Sequence, residues 1–540
     1  MTQAVKNLAI LILFVAAAFG ANNGTISGTV KDPDGGAFSG AAVQAQNTKT
    51  RISVIAFSDR SGRYRIQNLG PGEYDVSVRA VGYKADSRSG LNISGGQSAS
   101  ADFALQNGTV HWNDLSIYQG KKLMPDGKGK EILTGQCFAC HGFQTRIATT
   151  RRTQQGWVQA INYMRTVMHA RLANHVNDQD AQTLADYLNN LWGEDAKMPA
   201  SPADLPAYKE TLRNPFTDES FKIAYVEYEM PAPNRYPFSA APDKNGYLWL
   251  PYFGRTNKIG RLDPATGTIQ EYPVPSKDTA GIHSAIPAPD GSVWIGEQAS
   301  NRVGRWDPNT QTVTEFQDIY AKGLEGMEDG GSKHTVRVDS MGRVWGTAVR
   351  SNLTVFDPKT REFTRFKDVL SPYGVEIDKQ GNPWFAEFRD GGAIGMVVAK
   401  TGEVKRWNPP TPNGWPRRIE FDSKGIVWFA EYRGGKIGRF DPKAETFKEF
   451  QLPGPSPTPY GLGVDKNDYI WYSSDEMDVM GRLDPNTGNV VEFPFPHSEN
   501  MIKELFLDAQ GRMWYGTGSN NRVGYFVPLD PGGSETAGLR

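Results

Sequence analysis

Asp422-Ser-Lys-Gly425-Ile-Val-Trp428-Phe-Ala-Glu431-Tyr-Arg-Gly-Gly-Lys436-Ile-Gly-Arg439-Phe-Asp441-Pro442 decides the fold of the C-terminal half. It reads as a tight turn, a short strand ending in tryptophan, a second turn and a second strand. The unit recurs. Marker tryptophans stand at Trp249, Trp294, Trp345, Trp384, Trp428, Trp471 and Trp514, at spacings of 45, 51, 39, 44, 43 and 43 residues. Turns such as Pro289-Asp290-Gly291 and Asp378-Lys-Gln-Gly381 precede the tryptophans, and Thr-Gly turns such as Thr266-Gly267 and Thr487-Gly488 follow. A period near 40 to 45 residues with four short strands is that of a β-propeller, and seven units predict seven blades over 221–530.

Equivalent positions in successive blades lie on one ring. Eleven residues before each tryptophan stand Phe238, His283, His334, Tyr373, Arg417, Tyr460 and Lys503. Six of the seven are polar or cationic, or carry a phenol. The position falls just before the inner strand, so the ring is expected to line the mouth of the central channel. Such a mouth binds an anion, a polar small molecule or a divalent metal, or is simply hydrated. His283 and His334 occupy adjacent blades. With Glu297 they offer two nitrogens and a carboxylate, a set that suits a divalent metal or catalysis. Glu297, Glu387 and Glu431 recur three residues after their tryptophans. They accompany the ring or cap blade edges.

Cys137-Phe138-Ala139-Cys140-His141 is a CxxCH run, the attachment signature of c-type haem. Each thiol can add to a haem vinyl group, and the following histidine ligates the iron. These are the only two cysteines of 540 residues, so no other cysteine remains for a disulfide framework or a four-cysteine zinc site. A disulfide between the pair is the plain alternative. Helical spacing surrounds the motif: Trp157, Ile161, Met164 and Met168 share a face, and Asn177-Asp-Gln-Asp180 caps a last helix bearing Leu184, Leu188 and Leu191. A cytochrome c domain is therefore expected over 112–196. Met164, Met168, His169 and His175 are candidates for the second axial ligand. Packing is the ordinary role of such methionines.

The N-terminus carries Lys6, an apolar run from Leu8 to Phe19, and small residues at Ala18, Gly20 and Ala21. It reads as a secretory signal over 1–21, too short for a comfortable membrane span. Periplasmic or secreted location follows, with no transmembrane segment after cleavage. Residues 22–108 read as a β-sandwich, since Tyr74-Asp-Val76-Ser-Val78 alternates and Gly62, Gly70, Pro71 and Gly72 punctuate. The proline-rich stretch 197–220 reads as a linker, and 531–540 as a tail. Glycine (58) and proline (35) are plentiful, as turn-rich β structure requires. Net charge is −1 with no basic block, which argues against a nucleic-acid partner. The expected class is multidomain and mainly β: a sandwich, a small all-α domain and a propeller.

Three resemblances sharpen this. Ser58-Asp-Arg-Ser-Gly62-Arg-Tyr64 and Asn68-Leu69-Gly70-Pro71-Gly72-Glu-Tyr74 resemble the carboxypeptidase regulatory-like domain, which implies a prealbumin-like sandwich of the carbohydrate-binding-like class. Three helices around CxxCH follow the plan of a class I cytochrome c. The segment Arg151-Arg152-Thr153 to Leu188 resembles haem domains of periplasmic dehydrogenases, which implies Met164 as distal ligand. Pro372-Tyr373-Gly374-Val375, Pro459-Tyr460-Gly461-Leu462, Trp384-Phe-Ala-Glu387 and Asn301-Arg-Val-Gly-Arg305 resemble the virginiamycin B (streptogramin) lyase family. That resemblance implies the fold more than the activity. The lyases keep paired histidines at the ring position of their last two blades, with glutamates and magnesium. Here those places hold Tyr460 and Lys503, and Gly518 stands where a metal-binding glutamate is expected.

The functional expectation is an exported monohaem cytochrome fused to a lyase-like propeller. It transfers electrons as, or with, a periplasmic dehydrogenase, and takes a small molecule or protein partner at Tyr373, Arg417, Tyr460 and Lys503. Haem c is the expected cofactor, with a divalent metal on the propeller as a second option. An electron-transfer protein or dehydrogenase subunit is the expected partner. A metal-dependent carbon–oxygen lyase and a non-catalytic electron relay are the alternatives, and oxidoreductase chemistry is favoured over the lyase. A single haem takes one electron, so two-electron oxidation needs a further cofactor or subunit.

Overall fold

In the computed structural model, residues 23–139, 141–167, 176–194, 196–213, 216–254, 256–277, 280–320 and 332–529 are described. The signal segment, Cys140, Met168, His169, His175 and the tail lie outside them.

Six four-stranded antiparallel sheets, spanning 241–273, 282–317, 332–370, 372–407, 416–451 and 459–494, form blades one to six. The seventh closes the circle from both ends of the domain. Strand Ile223–Glu229, which precedes blade one, pairs along its length with Arg522–Pro528, the last strand. Closure of this kind leaves no open edge between the first and last blades. Each marker tryptophan is buried between sheets. In six blades its indole N–H donates to an aspartate six residues earlier, as Trp428 does to Asp422 at 3.1 Å and Trp514 to Asp508. The turn is thus tied to the strand it introduces. In blade two the place of that aspartate is Ala288.

The N-terminal sandwich has two sheets. One pairs Gly24–Lys31 with Arg63–Leu69 and, in parallel, with Ser98–Ser100 and Phe103–Ala104. The other runs Ser53–Phe57, Ala42–Asn47, Gly72–Arg79, Asp86–Ile93. This second sheet does not end at the sandwich. Ser53, Val54 and Ile55 pair antiparallel with Glu227, Val226 and Tyr225, so it continues into blade seven as one eight-stranded sheet. Val54 packs with Val226 and Tyr228 on one face, and Ile55 with Ile223 and Tyr225 on the other. All five residues of Ser53–Phe57 are buried, as expected of a strand covered on both sides.

Between sandwich and propeller lies a helical segment: α1 (Ile117–Leu123), α2 (Lys128–Gln136), α3 (Gln154–Val167) and α4 (Asp178–Trp192). Ser116 and Gln119 form a capping box on α1, and Asn177 caps α4 by accepting from the Asp180 N–H at 2.8 Å. Gly129 lets α2 lie directly on α4, because a Cβ there would come within 2.3 Å of Tyr187 Cβ. The stretch expected as a linker is packed. It forms short 3-10 turns at Pro202–Asp204 and Pro206–Thr211, and Pro199 O accepts from the Trp112 indole at 3.0 Å. Among the described residues no helix is long and apolar enough to cross a membrane.

Candidate functional site at the propeller mouth

All seven ring residues meet on the propeller axis. Six lie at the start of the inner strand and not in the loop before it, five at its second position, as His283 in Ile282–Pro287 and Arg417 in Pro416–Phe421, and His334 at the third of Ser332–Val338. At this point each of the six strands carries a register shift against its neighbour. A bulge re-aims side chains, and six of them turn the ring residues toward one another.

The ring is closed and not an open channel. Its members are between 1% and 3% exposed. The imidazoles of His283 and His334 are 3.6 Å apart between centroids, and His334 lies 4.0 Å from the Tyr373 ring. The Tyr373 and Tyr460 hydroxyls bond each other across blade five. Between them sits Arg417, which donates from Nη2 to the Tyr373 hydroxyl at 2.9 Å. Lys503 Nζ lies 4.6 Å from the Tyr460 ring centre and 5.1 Å from that of Phe238. Phe238 completes the circle against His283 at 5.2 Å.

Below the ring a second tier is fully ionic. Arg418 Nη1 bonds Glu504 at 3.0 Å and Thr335 Oγ1 at 2.7 Å, and Arg337 reaches Glu504 at 3.3 Å and Glu376 at 2.6 Å. These groups surround a cavity of only about 10 Å³. These groups also keep register with the tryptophans, Arg337 and Glu376 eight residues before theirs and Thr335, Arg418 and Glu504 ten, so the spacing argument carried to the next inward positions would have reached them.

Glu297 does not join the histidines. Its Oε2 accepts from Ser276 Oγ at 3.0 Å and Ser300 Oγ at 2.7 Å, beside Glu315 on the outermost strand of the blade. Burial, with Glu315 adding repulsion, pushes its carboxyl up to about 7. Glu387 likewise turns outward, to the Leu370 N–H and to Arg389 and Arg406. Glu297 and Glu387 therefore secure their blades, and no ring position holds a carboxylate. Among the described residues no three of His, Cys, Asp and Glu converge to hold a metal ion. His283 and His334 thus form a tilted ring pair, and Glu297 is held by Ser276 and Ser300.

His141 lies at this mouth, within the fields of Glu499 and Lys503. Cys137, half-buried, caps the C-terminus of α2. His141 is buried, its Nδ1 2.6 Å from Gly142 O. That contact fixes Nδ1 as the N–H and leaves Nε2 as the free lone pair. Burial, reinforced by Arg146, pushes the imidazole down to about 4, so the ring is neutral at physiological pH. Met164 is half-buried against the helical core that includes Leu133, Phe138 and Phe143.

Polar contacts and one shared apolar side chain seat the helical segment on blades six, seven and one. Glu499 accepts from both the N–H and the hydroxyl of Thr145 at 2.7 Å. Arg146 Nη2 donates to Gly518 O at 3.0 Å, and its guanidinium stacks 3.8 Å from the Tyr236 ring centre. Ser498 donates to Asn113 O at 2.5 Å, and Lys121 pairs with Glu476 at 2.8 Å. Met501 is part of the helical core itself. Sequence reasoning missed this docking, because its residues follow no repeat and no motif.

Comparison with known proteins agrees with the two β domains. The carboxypeptidase regulatory-like domain matches residues 25–106, and the Virginiamycin B lyase family matches residues 358–529. A virginiamycin B lyase from Nocardia farcinica (strain IFM 10152) is 39% identical over 70 residues, 13% of this chain. The match spans about a quarter of that relative, 24% of its length. A streptogramin B lyase structure superposes with a TM-score of 0.51 at 20% identity, covering 58% of this chain and 99% of the other. The selenomethionine-substituted virginiamycin B lyase from Staphylococcus aureus gives 0.50 at 20% identity, covering 56% and 99%. At such identity the likeness is one of fold. The chain therefore carries a carboxypeptidase regulatory-like domain and a virginiamycin B lyase-like β-propeller, with a helical segment between them.

Proposed function

We propose that the chain is an exported c-type haem protein that transfers electrons between its helical segment and a ligand or partner at the propeller mouth. The observation that carries this reading is the seating of the turn just after His141 on the mouth through Thr145, Arg146 and Glu499, which brings His141 into the fields of Glu499 and Lys503. A spacer domain has no need of that position.

The residues fit a covalent haem. Cys137 and Cys140 would supply the two thiols, and His141, with Nδ1 already held by Gly142 O, would ligate through Nε2. Met164 would be the second protein residue to hold the iron. When bound, haem supplies a one-electron redox centre. The chain's own contribution is to bury His141, exclude water with Phe138 and Phe143, and hold the loop against the ring.

Elimination of the streptogramin lyase type is the second reading, favoured by the likeness of the propeller. It is the weaker one. Tyr460 and Lys503 stand where the lyase pattern has histidines, and the backbone of Gly518, at the place of the expected glutamate, is covered by Arg146.

The test is the visible spectrum of the oxidised, haem-loaded protein during addition of amines, alcohols, aldehydes and cyclic esters. Reduction by one class, lost in a His283→Ala, His334→Ala double variant, supports a redox enzyme working at the mouth. Cleavage of a cyclic ester with no spectral change supports the lyase. Reduction by dithionite alone supports a relay for a protein partner.

A further inference from the structure

Among the described residues Arg417 is buried and makes no ion pair. Its side chain is boxed by four rings, with Cζ 3.2 Å from the Tyr460 centre, 4.2 Å from Tyr432, 4.7 Å from Tyr373 and 4.9 Å from Phe388. One hydrogen bond, to the Tyr373 hydroxyl, is made, while Nε has no acceptor. Among the described residues no carboxylate lies within ion-pair distance of it. Asp475 reaches it only through its field, and Asp475 Oδ1 is itself buried without a partner.

A buried guanidinium with neither carboxylate nor full hydrogen bonding is costly. Cation–π contacts offset part of that cost. No ring position holds an acid. Over Arg417 the mouth is not sealed by the helical segment, whose contacts fall on blades six, seven and one. Phe388, Tyr432 and Trp415 form a half-buried aromatic rim there, with Phe388 and Trp415 perpendicular at 4.7 Å. Trp415 holds a left-handed φ of 56°, and its indole is anchored on Asp390 at 2.8 Å. A bulky residue keeps that conformation only when its surroundings impose it.

We propose that the mouth binds the carboxylate of a small aromatic acid, gripped by Arg417 with the Tyr373 and Tyr460 hydroxyls, its ring packed on Phe388, Trp415 and Tyr432. The planar guanidinium fork suits a carboxylate. Parting the Tyr373–Tyr460 hydrogen bond supplies two further donors. The inference rests on reading the mouth as the ligand-binding end of the propeller, and names the class of ligand.

The experiment is calorimetric titration of the full, haem-loaded chain with 4-hydroxybenzoate, with 4-hydroxybenzyl alcohol and benzylamine as comparators. The acid is expected to bind about tenfold or more tightly than either, and Arg417→Gln to weaken it by about tenfold or more. Tyr373→Phe, which keeps the ring's shape, is expected to weaken it severalfold and decides the matter if Arg417→Gln fails to fold. Equal affinity for the three compounds, or unchanged affinity in a folded variant, overturns the proposal. Haem absorbance recorded in the same titration separates the two readings. Binding of the acid without haem reduction keeps the anion site and counts against the redox enzyme. Haem reduction by the alcohol or amine, with no binding of the acid, does the reverse.

Discussion

Glu499 of the propeller accepts two hydrogen bonds at 2.7 Å from Thr145, four residues beyond His141. One fully buried carboxylate thus joins a blade loop to the turn that follows the CxxCH motif. The tie is costly to build, since Glu499 and Met501 both hold left-handed backbone, with φ of 56° and 42°.

Glu499→Ala is expected to release the helical segment and leave the propeller folded. Two charge-assisted bonds are lost, so the docked form loses on the order of 2–4 kcal/mol. Limited proteolysis reads this as new cleavage between 110 and 220, with the propeller fragment intact. Unchanged proteolysis means that the seating does not depend on this residue.

The shared sheet makes sandwich and propeller one cooperative unit. Ile55, 1% exposed, packs against Ile223, Tyr225 and Tyr515. Ile55→Ala should cost about 2–5 kcal/mol and lower the melting of both domains together. Two separated transitions, with only the sandwich shifted, contradict the continuity.

Legibility followed periodicity. The propeller showed in the tryptophans because each blade repeats one packing problem, and the ring showed in their register. The direction of Glu297 did not, because a recurring glutamate looks the same whether it turns toward the axis or toward Ser276. The closed packing of the ring was also hidden. It depends on Arg417 filling the space between Tyr373 and Tyr460, a relation among three blades. The sandwich junction left one trace: Ser53-Val-Ile-Ala-Phe57 lacks the alternation of Gly72–Arg79, as a strand covered on both faces does. The seating of the helical segment left none, because Thr145, Arg146, Glu499 and Gly518 are ordinary residues until the fold brings them together.

Glu297 gives a pH signature. Its carboxyl is raised from the usual range to about 7 by burial and by Glu315. The folded state therefore holds this proton more tightly than the unfolded chain, and stability falls as pH rises from about 4.5 to 7. Glu297→Gln removes the titration. Its unfolding free energy relative to wild type should improve by about 2–3 kcal/mol between pH 5 and pH 8. Denaturant melts at the two pH values check this, and a pH-independent difference contradicts it.

The central claim is that a haem is held covalently beside the propeller mouth. Its most direct test is haem stoichiometry after export in a host with cytochrome c maturation machinery, measured by haem stain on a denaturing gel and by iron content. The account predicts one haem per chain that survives denaturation, and its loss from the gel in a Cys137→Ala, Cys140→Ala variant. A correctly folded, exported wild-type chain that carries no covalent haem contradicts the account.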